Sequence, residues 1–231
     1  MTQPLLSILI PTVVGREKEY FTLLGKINPI PLEGKEDIIH NEVTLTKRWS
    51  GYTYGVTQEQ IDSPHSIPIN VEIISLKDNK ELTIGEKREL LYQLANGTHS
   101  LMVDDDDELA PNAIKLILEA INSNPEIPCI TFKEKCTING EYKSSNHSIK
   151  YSQWMDNQDG YDYVRCPFYK DVIRTDIAKS VPFPHIRYNE DERWSMAIKP
   201  FLTDEIHIEE ELYYYFYEPK ESHNERYGIT E

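Results

Sequence analysis

The sequence predicts an α/β fold: a mainly parallel sheet flanked by helices, followed by a smaller mixed half. Three observations carry that prediction. The first 132 residues alternate short apolar runs of strand length with amphipathic stretches at helical spacing. The apolar runs are near-continuous, as in strands covered on both faces. Their carboxyl ends carry polar and acidic residues, where open α/β sheets place their ligands.

Leu5-Leu6-Ser7-Ile8-Leu9-Ile10-Pro11-Thr12 reads as a buried first strand that ends at Pro11. A helix over 17–27 follows, with Tyr20, Phe21, Leu24 and Ile27 on a shared face. Residues 28–68 are rich in proline and glycine and hold Trp49, Tyr52 and Tyr54. A structureless loop that long is uncommon in a compact domain and reads as a lid or insertion. A second strand covers 71–76, with Lys77-Asp78-Asn79 at its carboxyl end. Thr83-Ile84-Gly85 leads into a helix over 86–95, buried through Leu90, Leu91 and Leu94 and stopped by Asn96-Gly97. The strand ending Leu101-Met102-Val103 comes next. Pro111 opens a helix with Ile114, Ile117, Leu118 and Ile121 at helical spacing, and Asn124-Pro125 closes it before a strand at 127–132. The second half is less regular. It holds turns at Asn139-Gly140 and Asp159-Gly160, an amphipathic segment over 193–202 and an aromatic strand, Leu212-Tyr213-Tyr214-Tyr215-Phe216-Tyr217.

The length of 231 residues suits one large domain or a core with a modest appendage. Net charge is -15, from 24 basic and 39 acidic residues, the opposite of the balance that grips a nucleic-acid backbone. No apolar stretch approaches the ~20 residues that span a bilayer. The apolar residues 5–11 lack the basic flank and cleavage site of a signal peptide, so the expectation is a soluble, cytoplasmic protein. Cys129, Cys136 and Cys166 are odd in number and lack C-x-x-C spacing; they read as reduced, buried thiols without a metal or nucleophilic role.

The most informative segment is Asp104-Asp105-Asp106-Asp107, at the tip of an apolar strand. Four adjacent carboxylates repel and raise one another's pKa, so something positive must offset them, and a hard divalent cation with oxygen ligands fits. In an extended segment Asp104 and Asp106 point to one side, Asp105 and Asp107 to the other. The simpler alternative is a solvated acidic turn; the placement at a strand end favours a site. An EF-hand loop starting at Asp104 fails, because Leu109 and Lys115 stand where Gly and Glu are required. A haloacid-dehalogenase-type phosphatase is disfavoured by Glu108 in place of Thr or Val.

Five segments follow one another along the chain: Ser7-Ile8-Leu9-Ile10-Pro11-Thr12; Ile73-Ile74-Ser75-Leu76-Lys77-Asp78-Asn79; Gly85-Glu86-Lys87-Arg88; Val103-Asp104-Asp105-Asp106-Asp107-Glu108-Leu109-Ala110-Pro111; and Tyr188-Asn189-Glu190-Asp191-Glu192-Arg193-Trp194-Ser195. Together they resemble the glycosyltransferase family 2 type of the GT-A fold, over most of the chain. The second half resembles small members common in bacteriophage genomes, which would place the protein in a host cytoplasm. It departs from them in carrying Cys166-Pro167-Phe168-Tyr169 where a Pro-Asn-His stretch is expected, and in the length of 28–68.

The resemblance implies one GT-A domain over 1–231, with a nucleotide-sugar-binding half (1–132, insertion around 28–68) and an acceptor-side, catalytic-base half (133–231). It implies metal-dependent, inverting transfer of a sugar from a nucleotide-diphosphate sugar to an acceptor hydroxyl. Asp106 would bind Mn²⁺ or Mg²⁺, with Asp104 on the ribose or sharing the metal and His223 as a third ligand. Pro11, Thr12, Arg16 and Asp105 would line the donor site, Asp78 would accept from the nucleobase, and Arg88 with Lys87 would face the diphosphate. On residues alone, Lys87 and Arg88 read as surface helix positions and Asp78 as a turn residue. Asp191 would be the general base, tuned by Glu190 beside it. His147 and His185 are weaker candidates for the acceptor side. The acceptor is a glycan, a protein or a hydroxymethylated DNA base; the acidic charge leans against polymeric DNA, and the lack of a membrane segment against a lipid-linked acceptor. Two other classes stay open: a metal-dependent nucleotidyltransferase, which would release pyrophosphate, and a non-catalytic nucleotide- or sugar-binding module.

Overall fold

The computed structural model describes residues 3–27, 34–40, 43–52, 69–186 and 188–218. In chain order the elements are β1 (Leu6–Val13), α1 (Glu17–Ile27), β2 (Gly34–His40), β3 (Val43–Tyr52), β4 (Ile69–Asp78), α2 (Ile84–Leu94), β5 (His99–Met102), β6 (Glu108–Leu109) and α3 (Ala113–Ser123). They continue with β7 (Cys129–Ile138), β8 (Glu141–His147), β9 (Met155–Gln158), β10 (Tyr161–Arg165), β11 (Val172–Arg174), α4 (Thr175–Ser180), α5 (Glu190–Ile198), a 3₁₀ turn (Lys199–Phe201) and β12 (Glu205–Tyr217).

β1 lies between β4 and β5 and runs parallel to both. Leu6, Ile8 and Ile10 face a core built with α1 and α3, while Leu9 faces a second core with α2, α4 and α5. Burial on both faces explains the unbroken apolar run. Pro11 sits beyond the last β1–β5 rung, Leu9 to Met102, where its missing N–H breaks no pairing on that side. Because the chain leaves β1 toward β4 and later returns to its other side as β5, the carboxyl end of β1 is a topological switch point.

Beyond this parallel centre the sheet is mixed. β11 joins β5 to β7 antiparallel to both, and β12 runs parallel to β7 and antiparallel to β6. Asn139-Gly140 and Asp159-Gly160 make the β7–β8 and β9–β10 hairpin turns, and all four residues adopt positive φ, as type I′ turns require.

Three expectations need correction. Residues 28–68 are not one long loop: β2 and β3 form a hairpin that extends the sheet beside β4, consistent with the strand-favouring Val43-Thr44-Leu45-Thr46. Residues 28–33, 41–42 and 53–68, with Tyr54, lie outside the described residues. On α1 the inward stripe is Tyr20, Leu23 and Ile27, with Phe21 59% exposed. On α2, Leu90 and Leu94 are exposed and the inward face is Lys87, Arg88, Leu91 and Tyr92. Apolar periodicity misjudged α2 because two cations take its inner face, each neutralised by buried carboxylates. The three cysteines are free and buried. Among the described residues no helix is long and apolar enough to cross a membrane.

Candidate functional site

A cleft of about 210 Å³ opens at the switch point, lined by Pro11, Thr12, Val13, Arg16, Ile84, Lys87, Arg88, Asp104, Asp105 and Asp106. Eight of these are residues assigned to the donor or metal by resemblance.

The aspartates do not run on as an extended strand. The ladder ends where the Val103 N–H reaches the Leu9 carbonyl (2.9 Å), and the Asp107 N–H then turns back onto the Asp104 carbonyl (3.1 Å). This turn replaces the expected alternation: Asp105 and Asp106 share Arg16, while Asp104 and Asp107 both reach Tyr213. Arg16 Nη1 pairs with Asp105 and its Nη2 donates to Asp106 Oδ2 at 2.6 Å. Thr12 Oγ1 donates to Asp105 Oδ2 at 2.6 Å. Burial lifts the Asp105 carboxyl to about 6 against the pull of Thr12 and Arg16. Asp106, with its side chain 45% exposed, projects at the rim.

Asp104 turns toward Arg88, which donates to it at 3.2 Å, and accepts from the Tyr169 hydroxyl at 2.7 Å. Burial pushes the Asp104 carboxyl up, but Arg88 and Lys170 outweigh it and hold the group below its ordinary value. Asp107 accepts from the Tyr213 hydroxyl at 2.8 Å and pairs with Lys170 at 3.3 Å; burial raises it to about 7. The electrostatic demand of the aspartate run is thus met by three side chains, Arg16, Arg88 and Lys170.

Arg88 also donates to Glu190 at 2.5 Å and lies 3.5 Å above the Tyr169 ring. Burial raises the Glu190 carboxyl, with Arg88 opposing and Asp191 reinforcing the shift. Asp191 sits beside Glu190 in the first turn of α5, half-buried, and accepts from the Glu192 N–H. Lys87 is buried, pairs with Asp78 and donates to the Thr12 carbonyl at 3.1 Å. Asp78 is fully buried and also accepts from the Leu82 N–H at 2.9 Å, so it braces Lys87 and does not face the open cleft as a nucleobase contact requires. Lys87 and Arg88 are therefore not the surface residues that their position alone suggests.

Local structure places these groups. Thr83 and Glu86 form a capping box that starts α2. Gly85 allows the close approach of the next segment: a Cβ there would lie 1.9 Å from the Pro184 carbonyl oxygen. Asn189, with φ of 57°, turns the chain into α5.

His147 is not on an acceptor face. It is fully buried between Asp171 (3.1 Å) and Glu134 (3.3 Å). His185 is exposed and pairs with Glu89 of α2 at 2.6 Å. His223 lies outside the described residues. Sequence reasoning missed Tyr169, Lys170 and Tyr213. Their signal was a lysine set among aromatic residues in Phe168-Tyr169-Lys170-Asp171, and a tyrosine strand that periodicity explains as packing alone.

No family model and no curated protein matches the chain in sequence. Solved structures do match in shape. S. aureus TarS 1-349, a glycosyltransferase, superposes with a TM-score of 0.55 at 16% identity, over 91% of this chain and 60% of that one. TarS 1-349 in complex with UDP-GlcNAc gives a TM-score of 0.57 at 17% identity, over 94% of this chain and 59% of that one. The complex with UDP gives 0.55 at 16%, over 93% and 61%. The fold is GT-A-like. The likeness is one of fold, and the chain spans about three fifths of the TarS 1-349 chains. In this GT-A-like frame, β4, β1 and β5 bring Asp78, Thr12 and the aspartate turn to one end of the sheet.

Proposed function

We propose that the protein is a metal-dependent inverting glycosyltransferase of the family 2 type, moving a sugar from a nucleotide-diphosphate sugar to an acceptor hydroxyl. The observation that carries this reading is the convergence of Thr12, Arg16, Lys87, Arg88 and the aspartate turn in one cleft at the switch point. The TarS structures in complex with UDP and UDP-GlcNAc make a uridine donor the first to test.

Among the described residues no three His, Cys, Asp or Glu side chains are grouped to hold a metal by themselves. Two carboxylates at the cleft, Asp104 and half-exposed Asp106, still suit Mg²⁺ or Mn²⁺, which binds through one or two carboxylates together with substrate phosphates and water. Held there, the ion would neutralise charge on the diphosphate leaving group. The chain's own residues do the rest. Arg16, Lys87 and Arg88 present positive charge where the diphosphate would lie, at the switch point of the sheet. The acceptor oxygen forms a bond to the anomeric carbon as the bond to the diphosphate breaks, and the hydroxyl proton passes to the Asp191 carboxylate. Glu190, fixed by Arg88, positions the first turn of α5 and so Asp191.

The test is the thermal midpoint of the purified protein with nucleoside diphosphates or triphosphates, with and without Mn²⁺, since a ligand that binds only the folded state raises it. A manganese-dependent rise with UDP is expected, lost in Asp106→Ala. A rise with triphosphates alone would favour nucleotidyl transfer, and no rise in a folded protein would favour a non-catalytic module. Asp191→Asn should keep the UDP shift while transfer falls by about 100-fold or more; normal transfer would put the base elsewhere.

A further inference from the structure

We propose that Lys170, acting with Tyr213, is a positioning residue that sets the aspartate turn for donor binding. The proposal rests on the function proposed above. The tyrosine strand and Lys170 belong to no part of the donor site, yet both meet beneath it. Lys170 is 4% exposed. Its ammonium donates to Glu134 at 2.9 Å, pairs with Asp107 at 3.3 Å, and lies 3.8 Å from the Tyr215 ring centre and 4.6 Å from that of Tyr213. The Tyr213 hydroxyl ties both ends of the turn: it donates to Asp107 Oδ2 at 2.8 Å and accepts from the Asp104 N–H at 3.1 Å. The Phe216 N–H adds a further bond to Asp107 at 3.2 Å.

The placement comes from the backbone. The Met102 N–H donates to the Tyr169 carbonyl at 3.3 Å, which holds the segment before β11 alongside the end of β5. Tyr169 then reaches Asp104 from one side while Lys170, next in sequence, holds Asp107. A buried cation cannot be left without its counter-charges, and a carboxylate at Asp107 cannot be left without its cation. The pair therefore fixes the rotation of the turn, and with it the directions of Asp104 and Asp106.

The experiment measures UDP affinity in Mn²⁺, donor KM, kcat and thermal midpoint in the parent, Tyr213→Phe, Lys170→Arg and Lys170→Met. Tyr213→Phe keeps the ring and the buried volume and removes only the bridging hydroxyl. It should stay folded and bind UDP at least tenfold more weakly, with donor KM rising by a similar factor. Lys170→Met should be weaker still, and Lys170→Arg should recover part of the loss. If Tyr213→Phe and both Lys170 variants, folded, bind UDP within twofold of the parent, the residues serve stability alone and the proposal is overturned. If the parent itself binds no nucleotide, the functional reading fails and this proposal falls with it. Should both Lys170 variants fail to fold, the Tyr213→Phe affinity decides.

Discussion

Arg88 is held on three sides: Glu190 and Asp104 each accept one of its amino groups, and the Tyr169 ring lies against its flat face. Only a planar fork satisfies all three, because a lysine ammonium is a single point charge without a stacking face. Arg88→Lys is therefore expected to lower transfer at least tenfold while keeping much of the fold. Arg88→Met leaves buried Glu190 and half-buried Asp104 without their cation, and should cost about 3 kcal/mol in a denaturant titration. Equal behaviour of Lys and Arg at this position would mean that the fork is not used. Sequence identified Arg88 only through a family resemblance. Its partners are 16 and 102 residues away, and no local pattern announces a pairing of that kind.

α2 and α5 are joined by two rungs built at the same spacing. Arg88 meets Glu190, and four residues on in each helix Tyr92 stacks on Trp194 with ring centres 5.4 Å apart. Phe183 packs on Trp194 at 4.5 Å, and the Trp194 Nε1–H donates to the Val181 carbonyl at 2.8 Å. The aromatic rung fixes the helix that carries Asp191, and Gly85 lets the 181–186 segment approach α2. Gly85→Ala is expected to force α2 and this segment apart, since the clash is with backbone. It should lower the thermal midpoint and reduce transfer; an unchanged midpoint and rate would show that the two can separate freely. At this scale the sequence was most legible where elements are buried in a regular way. Apolar spacing finds α1 and α3 as helices, although on α1 Leu23 and not Phe21 faces inward, and Asp78 and the aspartates were correctly placed at strand ends. The hairpin β2–β3 and the inward face of α2 were hidden for one reason. Strand pairing at an edge and buried ion pairs are set by distant partners, whereas periodicity records only the apolar residues of the segment itself.

Across the whole molecule, a chain of buried charges joins the two halves: Asp107 to Lys170, Lys170 to Glu134, Glu134 to His147, and His147 to Asp171. The sheet is also continuous, through β5, β11 and β7. Both features predict one cooperative unfolding transition, because neither half can open without exposing the other's counter-charges. The network sets a pH dependence as well. Burial alone would lower the His147 pKa, but Asp171 and Glu134 outweigh it and raise it to about 9. Burial likewise pushes Glu134 up, and Lys170 with His147 holds it well below the usual carboxylate range. A raised histidine stabilises fully below its unfolded value of 6.5 and loses that contribution as pH rises through about 9. A depressed glutamate stabilises above its unfolded value of 4.5 and loses that contribution in acid. Stability carried by this pair should therefore be greatest between pH 4.5 and 6.5 and decline toward pH 9, by up to ~3 kcal/mol for the histidine. Denaturant titrations of the parent and His147→Gln from pH 5 to 9 measure it. From about pH 7 to 9 the parent should lose stability and the variant should lose less, because the raised Asp105 and Asp107 carboxyls, common to both, have given up their own contribution by about pH 7. A parent profile as flat as the variant's would mean that the imidazole is buried neutral, and that Glu134 and Asp171 are not both charged beside it.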